Sequence, residues 1–145
     1  MKKLFLTFTL AAICSLCISA KGEYDPQLQQ LTKEIASYVV GTPDETFESC
    51  TFEDGMITFV VNPESNVGKA KLADPFAENF YETVVAKMLS GNLSQGYMIL
   101  DFMQAAGSNF CFKIMVPGAG YSEATVFPGN VKPILSEISQ ATSQE

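Results

Sequence analysis

Asp54-Gly55 stands between two segments, 46–53 and 56–61, that are rich in β-branched and aromatic residues. An Asp-Gly turn takes positive φ at both central positions, and its twist suits a two-residue hairpin. The register follows at once. Glu53 faces Met56, Phe52 faces Ile57 and Cys50 faces Phe59. Side chains alternate along a strand, so Cys50, Phe52, Ile57 and Phe59 share one side, which is apolar enough to be the core side.

The chain before this hairpin divides in two. Lys2 and Lys3 precede an apolar run from Leu4 to Ile18, and Ile18-Ser19-Ala20 supplies small residues for cleavage after Ala20. That is the layout of a secretory signal peptide. The run is short for a membrane span, which needs about 20 apolar residues. Attachment of lipid at Cys14 or Cys17, giving a lipid-anchored envelope protein, is the alternative, although Ile13 and Leu16 fit a lipidation site poorly. A retained single-helix anchor is a third reading. Cys14 and Cys17 have C-x-x-C spacing, but within the apolar leader they lack the domain context of a redox motif. The expectation is an exported protein, in the periplasm or outside the cell, with residues 21–145 as one domain.

Without residues 1–20, seven lysines stand against 16 carboxylates, a formal charge of −9, and the chain has no Arg, His or Trp. Nucleic acid requires a positive footprint. Arg is the usual fork for phosphate, and His the commonest general base and a principal zinc ligand. These absences argue against nucleic-acid binding, against a metal or other cofactor, and against most catalytic layouts. Cys50 and Cys111 remain as a pair, and an exported chain invites a disulfide between them. Such a bridge would close about 60 residues and stabilise by roughly 4 kcal/mol in the chain-entropy account.

Asp25-Pro26 opens a helix over 26–40, with Leu28, Leu31, Ile35, Tyr38 and Val39 at helical spacing and Gly41 as its stop. Residues 63–73 read as a polar connector. Asp74-Pro75 opens a second helix, in which Phe76, Phe80, Val84 and Met88 recur every four residues, with Ala77, Tyr81 and Val85 alongside. Tyr97 to Met103 reads as a strand that is apolar on both sides apart from Asp101. A hairpin through 106–109 leads to a strand over 110–116. On it Phe110, Phe112, Ile114 and Val116 face the core, while Cys111, Lys113 and Met115 face out. With Cys50 inward and Cys111 outward, the pleat argues against the disulfide. A strand over 121–127 and a helix capped by Asn130, with Pro133 in its first turn, complete the chain. The expected fold is a two-layer α+β domain. Its order is α-β-β-α-β-β-β-α, and an antiparallel sheet of four to five strands lies against two to three helices.

Few residues offer chemistry. Asn66-Val67-Gly68-Lys69-Ala70 has a trace of a phosphate loop, but Pro63 stands at its first glycine and Ala70 at its hydroxyl residue. Glu78 and Glu82 lie one turn apart, with Asp74 before them, and fit a solvated helix face. Gly118-Ala119-Gly120-Tyr121 fits a hairpin loop, and Asn92-Leu93-Ser94 matches the glycosylation sequon, which behind a bacterial-looking leader is a chance match. Asp101, in an apolar strand and with Lys113 as its neighbour, is the candidate for carboxylate catalysis. The surplus of apolar residues on strand 97–103 points instead to an interaction surface of Tyr97, Met98, Leu100, Phe102 and Met115. That surface suits a protein partner or a homodimer through an apolar sheet face. The leading expectation is a small exported binding protein without catalysis, of the inhibitor or accessory-subunit kind. The alternatives are a carrier with an apolar cavity lined by Phe and Met between sheet and helices, and a hydrolase or lyase built on Asp101 and Lys113.

Overall fold

The computed structural model describes residues 24–42 and 44–143. The leader expected over 1–20 lies outside the described residues. Helix α1 (Asp25–Val39) begins with Asp25 in its first turn, where the carboxylate meets the positive end of the helix dipole, and buries Leu28, Leu31, Ile35 and Val39. Gly41 then turns the chain with a φ of 75°. Strands β1 (Phe47–Glu53) and β2 (Met56–Val61) form the hairpin in the expected register, Cys50 opposite Phe59, Phe52 opposite Ile57 and Glu53 opposite Met56. Asp54 and Gly55 both have positive φ, 52° and 77°, as the two-residue turn requires. A register shift between Phe47 and Ser49 bulges the start of β1.

Three helices follow: α2 (Asn66–Ala73), α3 (Phe80–Leu89) and α4 (Leu93–Ala106). Strand β3 (Asn109–Val116) then returns beside β2 in parallel, β4 (Gly120–Val126) pairs antiparallel with β3, and α5 (Pro128–Ser143) ends the described chain. The sheet has four strands in the order β1-β2-β3-β4. The fold is α+β, as the sequence indicates, but the sheet is mixed. A parallel pair needs a long crossover, and the three helices between β2 and β3 supply it. The element order is therefore α-β-β-α-α-α-β-β-α.

Four local expectations change, one of them at α5, which starts at Pro128 so that Asn130 lies inside it and does not cap it. The stretch 97–103 is the middle of helix α4, not a strand. Its buried residues Gln95, Gly96, Ile99, Leu100, Phe102, Met103 and Ala106 repeat at helical spacing along a wide buried face, which is why the segment is apolar on both sides when read with period two. Asn92 Oδ1 accepts from Gln95 N at 3.3 Å at its start, and Gly107, at φ 71°, takes the left-handed C-cap. The connector 63–73 contains α2, whose N-cap Ser65 Oγ accepts from Gly68 N at 3.0 Å. Asp74 closes α2 by donating its N–H to Ala70 O and does not open the next helix. That helix waits for Asn79, which sits at φ 56° before Phe80.

The core takes its sheet residues from one face: Cys50, Ile57, Phe59, Val61, Phe110, Phe112, Ile114 and Val126. Rings run across it. Phe47 lies 4.8 Å from Phe59, Phe59 stacks on Phe112 at 5.0 Å, and Tyr81 of α3 stacks on Phe112 at 4.5 Å. Each such pair is worth about 0.5–1.5 kcal/mol beyond its buried area, so this series ties β1, β2 and β3 to α3. The other face carries Thr51, Thr58, Cys111 and Thr125 in one cross-strand row, and Lys113 with Glu123 in the next. No helix among the described residues is long and apolar enough to cross a membrane.

Candidate functional site: an apolar cleft beside the sheet

Helix α3 has two working faces. Tyr81, Val85, Ala86 and Leu89 enter the core. The neighbouring stripe, Phe80, Thr83, Val84, Lys87 and Met88, forms one wall of a cleft of about 620 Å³. The every-fourth-residue series in the sequence is thus largely a cleft wall, and the residues beside it make the core. Helix α2 gives the facing wall through Asn66, Val67 and Ala70, one turn apart on one side. Val39 at the end of α1, Phe47 at the start of β1 and Thr42, Asp44 and Thr46 before it complete the lining, with Ala77 and Glu78 at the rim. The volume falls in the range of small-molecule sites, and the walls are mainly apolar.

Gly68 fixes how α2 sits. A Cβ there would lie 2.1 Å from Asn62 O and 2.7 Å from Pro63 Cα. The helix therefore packs directly on the exit of β2, and Gly68 serves that approach; the faint phosphate-loop pattern has a packing explanation. Lys71 holds the α2–α3 connector. Its Nζ donates to Pro75 O at 2.9 Å and lies 5.0 Å from the Tyr81 ring centre and 5.5 Å from that of Phe80. Phe76, on the same connector, is 92% exposed.

The polar part of the cleft is the turn before β1. Asp44 Oδ1 accepts from Thr46 Oγ1 at 2.5 Å, Thr42 Oγ1 at 2.9 Å and Thr46 N at 3.2 Å. The Thr46 hydroxyl, foremost among these donors, holds the carboxyl below its usual range against the opposing effect of burial. Asn62 locks the turn to β2: its Nδ2 donates to Glu45 O at 3.0 Å, and its N–H donates to Thr46 O at 2.8 Å.

The residues singled out from sequence lie elsewhere. Asp101 is exposed on α4 and forms an ion pair with Lys132 of α5, which also donates to Gln104 Oε1 at 2.6 Å. Lys113 on β3 lies 3.9 Å from Glu123 of β4. Asp101 and Lys113 each have a different partner, so they are not the expected pair. Leu100 and Phe102 are buried in the core, Phe102 edge-on to Tyr24 at 5.3 Å, and Tyr97 and Met98 are only partly exposed on α4. The expected apolar sheet surface does not form there. Of that set only Met115 lies on the open sheet face, 40% exposed. Cys50 and Cys111 are both buried and free. They project from opposite faces: Cys50 opposes Phe59, which opposes Phe112, the residue after Cys111. Burial pushes the Cys50 thiol up to about 12, and burial followed by the Glu123 carboxylate also raises Cys111. Cys111 was expected to face solvent; it does lie on the open face, but its row neighbours Thr58 and Thr125 shield it.

Glu78 reaches the cleft rim, while Glu82 faces away from it. Gly118 and Gly120, at φ 79° and 92°, form the β3–β4 turn. No cluster of three His, Cys, Asp or Glu residues that could hold a metal occurs among the described residues. Sequence reasoning missed Val39, Asp44, Phe47 and Val67 as a group. The α3 stripe was visible, but spacing does not tell a helix face that meets the core from one that lines a cleft. Comparison with family models, curated proteins and solved structures finds no match for this chain.

Proposed function

We propose that this chain is a small binding protein without catalysis, whose ligand site is the cleft between α2, α3 and the start of β1. One observation carries the reading: Val39, Phe47, Val67, Phe80, Val84 and Met88 converge on about 620 Å³ of open space, although these are side chains that a small domain gains by packing together. The occupant is a compact apolar molecule. Of the readings considered from sequence, the carrier with a Phe- and Met-lined cavity fits this geometry best. Export remains part of the proposal and rests on Lys2, Lys3, the run Leu4–Ile18 and the small residues before the cut.

Apolar surface removed from water contributes about 25 cal/mol per Å², and lost translational and rotational freedom offsets much of it, so binding is weak, with a Kd on the order of 0.1–1 mM. N-phenyl-1-naphthylamine, which is uncharged and fluoresces in apolar surroundings, is a suitable probe. Its titration should saturate at one molecule per chain in that range. Val84→Asp and Met88→Asp, each placing a carboxylate in the wall, should weaken it at least tenfold while the circular dichroism spectrum is kept. Equal binding to both folded variants would remove the cleft as the site.

A further inference from the structure

The cleft is apolar along its walls but has charges at its edges. Asp44 and Glu78 are carboxylates, and Lys87 is the single cation among its lining residues. Among the described residues the ion pairs are Lys113–Glu123 and Lys132–Asp101, so none of these three charges is paired. All three are exposed, Glu78 and Lys87 on long stems. Asp44 differs because it is held. Both threonines of its turn donate to the same oxygen, Oδ1. The turn itself is tied to β2 through Asn62. The carboxylate is therefore presented in one orientation beside the apolar lining residues Val39 and Phe47. Ordering a charged side chain in advance lowers the entropy that a ligand must otherwise supply. The net charge of the chain, −7, adds an attractive field for cations and a repulsive one for anions.

Resting on the cleft as the ligand site, we infer that its ligand is a small amphiphilic cation, an apolar body carrying an ammonium-type group that pairs with Asp44. The apolar body lies between α2 and α3, and the cation is placed at Asp44. Neutral molecules of the same shape gain only the apolar part. Carboxylate-headed ones, such as fatty acids, meet Asp44 and Glu78 and lose by it. Lys87 does not reverse this order, because its ammonium makes no side-chain hydrogen bond among the described residues and is strongly hydrated, whereas three donors fix Asp44 beside the apolar lining.

Three probes with one body separate the outcomes: 4-phenylbutylamine, 4-phenylbutanol and 4-phenylbutyrate, each titrated calorimetrically in 20 mM salt at pH 7. The amine is expected to bind three- to tenfold more tightly than the alcohol, and the acid more weakly than either. In 300 mM salt the amine's advantage should shrink towards the alcohol's affinity. Asp44→Asn should remove the advantage, while Glu78→Gln should reduce it by less than half. An alcohol that equals the amine in the unmodified protein, or an amine preference that survives Asp44→Asn, would overturn the inference and leave the cleft reading standing. If none of the three binds, the cleft reading fails together with it.

Discussion

Tyr81 shows how one side chain can serve the core and still be uncomfortable in it. Its ring stacks on Phe112 at 4.5 Å, yet its buried hydroxyl finds no hydrogen-bond partner among the described residues. An unsatisfied buried hydroxyl costs about 1–3 kcal/mol. Tyr81→Phe should therefore keep the stack and raise stability by about 1 kcal/mol in urea unfolding; a loss of that size would show that the hydroxyl is bonded. Burial also pushes Tyr81 from 10.0 to about 12, and Cys50 from 9.0 to about 12. Both groups are neutral in the folded state where the unfolded chain has already ionised. Their contribution is whole below pH 9 and is lost between pH 9 and 12, at up to about 1.4 kcal/mol per pH unit for each group. Stability measured from pH 8 to 11 should fall accordingly, and Cys50→Ala should flatten the slope; a flat profile in the unmodified protein would contradict the buried, neutral thiol. Gly68 is the third such residue. Gly68→Ala drives a Cβ against Asn62 O and Pro63 Cα, and should cost about 1–3 kcal/mol as well as weaken ligand binding by moving α2.

At the scale of elements, the hairpin was legible and α4 was not. Period two and an Asp-Gly turn leave one register for β1 and β2, and the observed pairs match it. The segment 97–103 offers no period to read, because a helix buried over a wide face is apolar on both sides of any alternation. Its ends held the better signals. Asn92 caps the start, and Gly107 takes the left-handed position at the end, which Leu, Met, Gln and Ala between them suit by propensity. Asn92→Ala should lower stability by about 1 kcal/mol, and Gly107→Ala should do so by a similar amount because its φ is 71°. Equilibrium urea unfolding of both variants checks this; two neutral results would contradict the capped helix. The same error explains the sheet. With 97–103 taken as a strand, 110–116 reads as its hairpin partner and the sheet as antiparallel, whereas the three helices between β2 and β3 make that pair parallel.

The molecule as a whole stacks its helices on one face of a four-stranded sheet and leaves the cleft beside it, at the junction of α1, β1, α2 and α3. The apolar residues that meet there are spread along the sequence from Val39 to Met88, and each reads as an ordinary core residue in its own segment. Periodicity shows that Phe80, Val84 and Met88 share a helix face, but not that α2, hidden in a stretch read as polar connector, stands opposite with open space between. Asp44 was silent for a similar reason: its role comes from Thr42, Thr46 and Asn62 holding it in place. The central claim is that this space is a ligand site. Methyl-resolved NMR during titration with N-phenyl-1-naphthylamine tests it most directly. Shifts concentrated on Val39, Val67, Val84 and Met88, with Met115 on the open sheet face unmoved, are the predicted result. Shifts confined to Met115 and its neighbours, or none at saturating probe, would contradict it.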